Sequence, residues 1–164
     1  MQLHAPIQPC LWFDTQAEEA ARHYVSIFPD SRITQVSHYG EAGRDVHRMT
    51  PGTAMAVQFE IAGQPCVAMN GGPLCRFTEA VSFMVMCDSQ EQIDYYWARL
   101  GEGGDEGACQ CGWLKDRFGL SWQVTPTEIL SLLACPHGDA VMLALLPMKK
   151  IEIAVLRAAA GFSG

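Results

Sequence analysis

The sequence predicts an α+β chain in which one unit, a strand followed by a helix and further strands, is written twice. Three observations predict it. Asp14-Thr15-Gln16 and Asp88-Ser89-Gln90 superpose on a shift of 74 residues. Each triplet closes a short apolar segment, Ile7 to Phe13 in one case and Val81 to Cys87 in the other. Each then opens a stretch whose apolar residues recur at helical spacing. In a chain of 164 residues a repeat this long marks an internal duplication rather than a solenoid.

The first helix is expected to start at a capping box, Thr15 with Glu18, and to carry Ala17, Ala20, Ala21, Tyr24 and Phe28 on one face. Pro29-Asp30-Ser31 stops it. Ile33 to Tyr39 and Ala54 to Ile61 read as strands, and Ala62-Gly63-Gln64 turns the second of them into Pro65 to Asn70. In the second unit Ser89 with Gln92 makes another capping box, and Ile93, Tyr96, Trp97 and Leu100 form the stripe. Two strands are expected after that helix, Cys109 to Lys115 and Leu120 to Thr125, with Asp116-Arg117-Phe118-Gly119 as the turn between them. Thr125-Pro126-Thr127-Glu128 then supplies a cap, a proline at the first helical position and a glutamate at the third. Short helices follow over 139–146 and 151–160. The chain thus reads as one domain of two modules, 6–74 and 79–126, with C-terminal helices over 127–164.

Composition narrows the function classes. Eleven basic residues against 18 acidic give a net charge of −7, and no basic cluster exceeds Lys149-Lys150. A phosphate backbone or an anionic membrane surface would be repelled, so neither nucleic acid nor membrane is an expected partner. The longest apolar run, Ala140 to Met148, contains Pro147 and falls short of the ~20 residues of a spanning helix. The first six residues have neither the basic start nor the apolar stretch of a leader, which points to the cytoplasm. The seven cysteines, an odd number lying mostly in apolar segments, read as reduced thiols. Cys109 and Cys111 lack a second Cys/His pair at zinc-site spacing.

Nucleophilic chemistry has no spacing signature here. His4 falls in the N-terminal tail, His23 on a helix and His137 in a loop. His38 and His47 flank a polar excursion across which they could meet, and solvated loop histidines are the plainer reading. A doubly wound S-adenosylmethionine enzyme needs a glycine-rich turn after its first strand. Asp14-Thr15-Gln16-Ala17 has no glycine, so that cofactor is not expected, nor is any other.

Several segments carry a family resemblance. They are Leu11-Trp12-Phe13-Asp14 with Glu18-Glu19-Ala20 and Tyr24, Ala68-Met69-Asn70-Gly71-Gly72-Pro73, Phe77-Thr78-Glu79-Ala80, Cys111-Gly112-Trp113-Leu114-Lys115-Asp116, and Met148-Lys149-Lys150-Ile151. Together they resemble the PhnB-like branch of the vicinal oxygen chelate superfamily, often labelled 3-demethylubiquinone-9 3-methyltransferase. The resemblance runs from about residue 6 to 158, and Cys-Gly-Trp-Leu-Lys-Asp is its most specific part. It implies duplicated βαβββ modules, each curling into a half-barrel, the two making a cup and commonly pairing as a homodimer. Metal-dependent members hold a divalent ion in that cup with one His, Glu or Gln from each of four strands. Carried over, those positions fall near Pro9, Asn70, Ser82 and Gln123. Pro9 has no side-chain donor and Ser82 is a poor ligand, so no metal is expected.

The expected ligand-binding residues are therefore Asn70, Ser82, Trp113, Lys115 and Gln123. With Cys109 to Lys115 as one strand, Cys109, Cys111, Trp113 and Lys115 share a face. A lysine beside a tryptophan there suits an anionic or aromatic molecule; alternatively Trp113 packs under a helix and Lys115 caps an edge. Asn70-Gly71-Gly72-Pro73 serves either a close approach to a ligand or the turn between modules. The leading expectation is a homodimer, stabilised partly by residues 139–158, that binds a small organic molecule in the cup. Two rivals stand beside it: an enzyme with atypical or no metal, and an interaction protein whose cup is filled by its own side chains.

Overall fold

The computed structural model describes residues 7–162, and the chain divides into two units, Met1–Arg76 and Phe77–Gly164. His4 and the N-terminal segment read for a leader lie outside the described residues. In the first unit the elements are β1 (Cys10–Phe13), α1 (Ala17–Ile27), β2 (Arg32–His38), the single turn α2 (Arg44–His47), β3 (Ala54–Ile61) and β4 (Gln64–Asn70). The sheet runs β1-β4-β3-β2, with β1 parallel to β4 and the other pairs antiparallel. Helix α1 turns Ala17, Ala20, Ala21, Tyr24 and Ile27 inward, and Val57, Phe59 and Ala68 are buried with them. Tyr24 stacks on Phe59 at 6.4 Å between ring centroids.

The first capping box does not form. The N-cap is Gln16, without a side-chain bond, and Glu18 pairs with Arg22 instead. Cap and partner come from another strand: Asn70 Oδ1 accepts the Ala17 N–H at 2.8 Å. The helix starts one residue later than the Thr15 pattern implies, and a buried amide from β4 satisfies its first N–H.

The second unit repeats the plan as β5 (Ser82–Cys87), α3 (Gln90–Gly101), β6 (Asp105–Gln110), β7 (Trp113–Lys115) and β8 (Ser121–Pro126), in sheet order β5-β8-β7-β6. Again the first strand runs parallel to the last. Here Ser89 does cap the helix, and Gln92 reaches back one residue beyond it. Ser89 Oγ accepts the Gln92 N–H at 3.3 Å, and Gln92 Oε1 accepts the Asp88 N–H at 2.8 Å. Ile93 and Leu100 of α3 are buried, as are Leu114, Trp122 and Val124 of the sheet. Phe83 meets Trp122 edge-on at 5.3 Å, and the Trp122 indole donates to Asp116 Oδ2 at 2.9 Å.

Two sequence expectations need correction. Residues 109–115 are not one strand but the end of β6, a two-residue turn, and β7. Cys111 and Gly112 both have positive φ, 52° and 84°, as a hairpin turn of the primed kind requires. The strand β6 was hidden because Asp105-Glu106-Gly107-Ala108 has little strand propensity, and its pairing with β7 is irregular. Nor does Pro126 open a helix. It ends β8 opposite Cys87, and α4 (Ile129–Leu133) starts after Glu128.

The hairpin tip is seated on the C-terminal segment. The N–H groups of Cys111 and Gly112 donate to the carbonyls of Met148 and Lys149 at 2.7 and 2.8 Å. Gln90 holds the following residues, donating to the Ile151 carbonyl at 3.0 Å and accepting the Ile153 N–H at 2.9 Å. Lys150 pairs with Asp94 and, at 3.1 Å, with Glu152. Helices α5 (Gly138–Leu145) and α6 (Ile153–Ala159) flank this segment in sequence. No helix among the described residues is long and apolar enough to cross a membrane.

A Cβ at Gly112 would lie 2.8 Å from Ile151 Cδ1 and 2.9 Å from the Val124 carbonyl oxygen, whereas one at Gly119, also at positive φ, would meet nothing within 4 Å. Gly119→Ala should cost about 1 kcal/mol for its backbone alone. Gly112→Ala should cost about 2–4 kcal/mol, because overpacking adds to the same strain. Urea unfolding of the two variants measures the difference, and equal losses would show that the tip does not press on Ile151.

Candidate functional site

Helices lie against one face of each sheet, so the strand alternation sends every second side chain to a face that no helix of the same unit covers. In the second unit the register defines that face. Ser82, Ser121, Lys115 and Asp105 stand in one row; Met84, Gln123, Trp113 and Gln110 stand in the next; Met86 and Thr125 make a third. Gln123 Nε2 donates to Ser82 Oγ at 2.7 Å, the one direct bond between expected site residues. Met84 and Met86 are 50% and 44% exposed, so thioethers flank the polar pair. Trp113 is half-buried and lines a cavity of about 510 Å³ with Glu79, Ala108, Gln110 and Cys111. The Lys115 ammonium pairs with the Glu79 carboxylate. That hydrogen bond, before any other contribution, holds the Glu79 carboxyl below its usual range.

The expected face assignment is half right. Trp113 and Lys115 do share a face, and Leu114 with Asp116 takes the other. Across the turn, however, it is Gln110 that pairs with Trp113, not Cys109 or Cys111.

Asn70 belongs to a different place. It is 5% exposed and on the helix-covered side of the first sheet, opposite Phe13. Its Oδ1 caps α1 and its Nδ2 donates to the Ala54 carbonyl at 2.9 Å, while the Tyr39 hydroxyl donates to its backbone carbonyl. The glycines after it are explained by a side chain of the protein. A Cβ on Gly71 would lie 2.0 Å from the Trp12 indole, whose Nε1 donates to the Gly72 carbonyl at 2.9 Å. The open face of this unit carries Cys10, Trp12, Val67, Met69, Ala56 and Gln58.

The divalent ion used by metal-dependent vicinal oxygen chelate proteins does not fit this residue set. Pro9 contributes only a carbonyl, already accepting the Val67 N–H at 2.9 Å. The Asn70 amide is spent on α1 and Ala54, and Ser82 and Gln123 are bonded to each other. Among the described residues no three His, Cys, Asp or Glu side chains cluster closely enough to hold a metal ion. His47 packs on Tyr39 at 4.5 Å between rings, and its Nδ1 accepts the Met49 N–H. Burial pushes the Cys66 thiol up to about 11, and burial with the Asp88 charge does the same for Cys87, so both lose thiolate character.

Four residues of the open face escaped the sequence reading. Glu79 was visible in Phe77-Thr78-Glu79-Ala80, but nothing linked it to Lys115. Met84 and Met86 lie within the apolar segment Val81 to Cys87, which the sequence reading did not divide by face. Ser121, two positions before Gln123 and 1% exposed, has no hydrogen-bond partner for its Oγ among the described residues. Only the alternation along β8 could have pointed to it.

A family model described as 3-demethylubiquinone-9 3-methyltransferase matches residues 5–125. A PhnB protein from Bacillus cereus is 31% identical over 74% of this chain and 99% of its own, with a TM-score of 0.63. A protein from Pseudomonas aeruginosa, 18% identical over 74% of this chain and 97% of its own, has a TM-score of 0.59 and shares the fold. The fosfomycin resistance protein FosX from Listeria monocytogenes is 17% identical over 75% of this chain and 90% of its own, at a TM-score of 0.46, too low to bear on mechanism. Comparison with the curated proteins finds no match. The PhnB protein belongs to the vicinal oxygen chelate superfamily, whose duplicated plan the two sheets here reproduce.

Asn70→Ala should therefore lower stability by about 2–3 kcal/mol, from a lost cap and an orphaned buried carbonyl. Thermal unfolding checks it. A loss under 0.5 kcal/mol, on the order of an ordinary surface change, would return Asn70 to the list of free ligand-binding groups.

Proposed function

The chain belongs to the family described as 3-demethylubiquinone-9 3-methyltransferase, within the vicinal oxygen chelate superfamily, and on that premise we propose that it binds a small organic molecule against the open face of its second sheet, without a tightly held metal. The observation that carries the reading is the Ser82–Gln123 pair, bonded at 2.7 Å and set between exposed Met84 and half-buried Trp113. Such a surface offers an apolar plate with few, fixed polar groups, the usual make-up of a small-molecule site. Trp113 supplies a flat face for an aromatic or aliphatic body. Gln123 and Ser82 can open their mutual bond toward a ligand hydroxyl or carbonyl. Asn70 is set aside on its geometry, while Ser82, Trp113, Lys115 and Gln123 remain in the proposed site.

The fluorophore 8-anilinonaphthalene-1-sulfonate tests this reading. Saturable binding at one probe per chain is expected, weakened about tenfold by Trp113→Ala. Binding that is non-saturable, or indifferent to Trp113, would rule the open face out. Elemental analysis of the purified chain should find far less than one Zn, Ni, Mn or Fe per chain, and a stoichiometric ion would reverse the metal-free part of the proposal.

The same proposal includes a homodimer. Within the C-terminal stretch Val141, Leu145, Ile151, Ile153 and Leu156 are buried by their own unit, while Leu143 is 71% and Leu146 49% exposed. With Met142 and Leu130 these leave apolar surface on α4 and α5 that a second copy can cover. Light scattering should give about twice the chain mass of 18.0 kDa. Leu143→Glu with Leu146→Glu should give the single mass; a wild-type monomer would sink the pairing.

A further inference from the structure

Lys115 and Glu79 form an unequal pair. Lys115 is fixed on β7, its side chain 24% exposed, and it emerges on the open face two residues from Trp113. Glu79 lies in 71–81, which contains neither helix nor strand, and its side chain is 62% exposed. The lysine is held by the sheet, whereas the glutamate can swing into water at little cost. Glu79 also lines the cavity of about 510 Å³ that Trp113 and Gln110 line. In the register Lys115 lies between Ser121, whose buried Oγ has no partner among the described residues, and Asp105, whose Oδ1 accepts the Gly107 N–H at 2.9 Å. An unsatisfied buried hydroxyl is costly, and a ligand oxygen brought to Lys115 would arrive next to it.

We propose that Glu79 is a built-in competitor for Lys115, holding the place of a ligand carboxylate, so that the site selects small organic acids with a flat apolar body. The inference rests on the open-face reading and adds the ligand's charge to it. Exchange of one carboxylate for another leaves the charge around Lys115 unchanged. A neutral or cationic head group leaves the ammonium unpaired or repels it, and cannot displace Glu79 on equal terms. Trp113 receives the flat body, and Ser121 can donate to the second carboxylate oxygen.

Titration calorimetry on the full chain tests this with two near-isosteric probes, the anionic indole-3-acetate and the neutral indole-3-acetamide. Glu79→Gln should bind the acetate about two- to fivefold more tightly than wild type, the range an exposed ion pair can contribute, and leave the acetamide unchanged. Lys115→Met should weaken the acetate about tenfold and abolish the preference for the acid. Both probes binding with unchanged affinities in all three proteins would overturn the competitor and keep the open-face site. Equal tightening of both probes by Glu79→Gln would also overturn it. No saturable binding of either probe by any of the three would sink the site and the competitor together.

Discussion

Each sheet is covered by its helix on one face only, and the rest of the structure follows from that asymmetry. A strand's side chains alternate, so a residue's parity decides whether it stabilises the unit or stays available. Leu114, Trp122 and Val124 are spent on the covered side of the second sheet, with exposures of 1, 1 and 0%. Trp113, Lys115 and Gln123, their immediate neighbours, are what remains for chemistry. Asn70 shows the rule from the other direction. Its parity sends it under α1, and a group that would be a reasonable ligand elsewhere becomes a helix cap.

The turn at Cys111–Gly112 fixes that parity for β7. Two positive φ angles close the hairpin in two residues, so Gln110 must face Trp113. The tip then binds Met148 and Lys149 through its own N–H groups. The segment that carries the family resemblance most specifically, around Gly112, and the Met148–Ile151 segment that shares in it are thus one piece of architecture. They hold the C-terminal segment to the hairpin, and the hairpin sets Trp113 and Lys115 on the open face. A distinctive motif is accounted for here by backbone geometry, which explains why recognising it placed the family without placing a substrate.

Much of the fold was legible because its signals are local. Ala54 to Ile61 alternates cleanly and forms β3 over those residues. Ser89 and Gln92 cap α3 from within the same turn. What was not legible depends on distant partners. The first N–H of α1, that of Ala17, is satisfied by Asn70, 53 residues away, and no window around Thr15 contains that information. Strand β6 is acidic and glycine-containing, and it exists because β7 offers it an edge. Of the expected site, Ser82 and Gln123 meet as partners because β5 and β8 are parallel neighbours, a pairing implied by the duplicated plan. Lys115 was visible, but its partner Glu79 lies 36 residues away in irregular chain.

The duplication itself argues where chemistry can reside. The shift of 74 residues that superposes the two helix starts carries Cys10 onto Met84 and Trp12 onto Met86. Through the strand pairings, Val67 then occupies in the first unit the position that Gln123 holds in the second, each opposite the first strand. The first open face has an apolar residue there and cannot form the Ser82–Gln123 bond. One copy has kept its amide from β4 for capping; the other caps α3 with Ser89 and leaves its sheet free of that duty. The family description names a methyltransferase, yet in both copies only the outer strand pair is parallel, and the first strand leads into Asp14-Thr15-Gln16 or Asp88-Ser89-Gln90. Neither copy has the parallel doubly wound sheet and glycine turn that cradle a nucleotide in that type of cofactor fold. Binding in this chain is better sought where the second copy departs from the first, on the polar row that Ser82, Ser121 and Lys115 share.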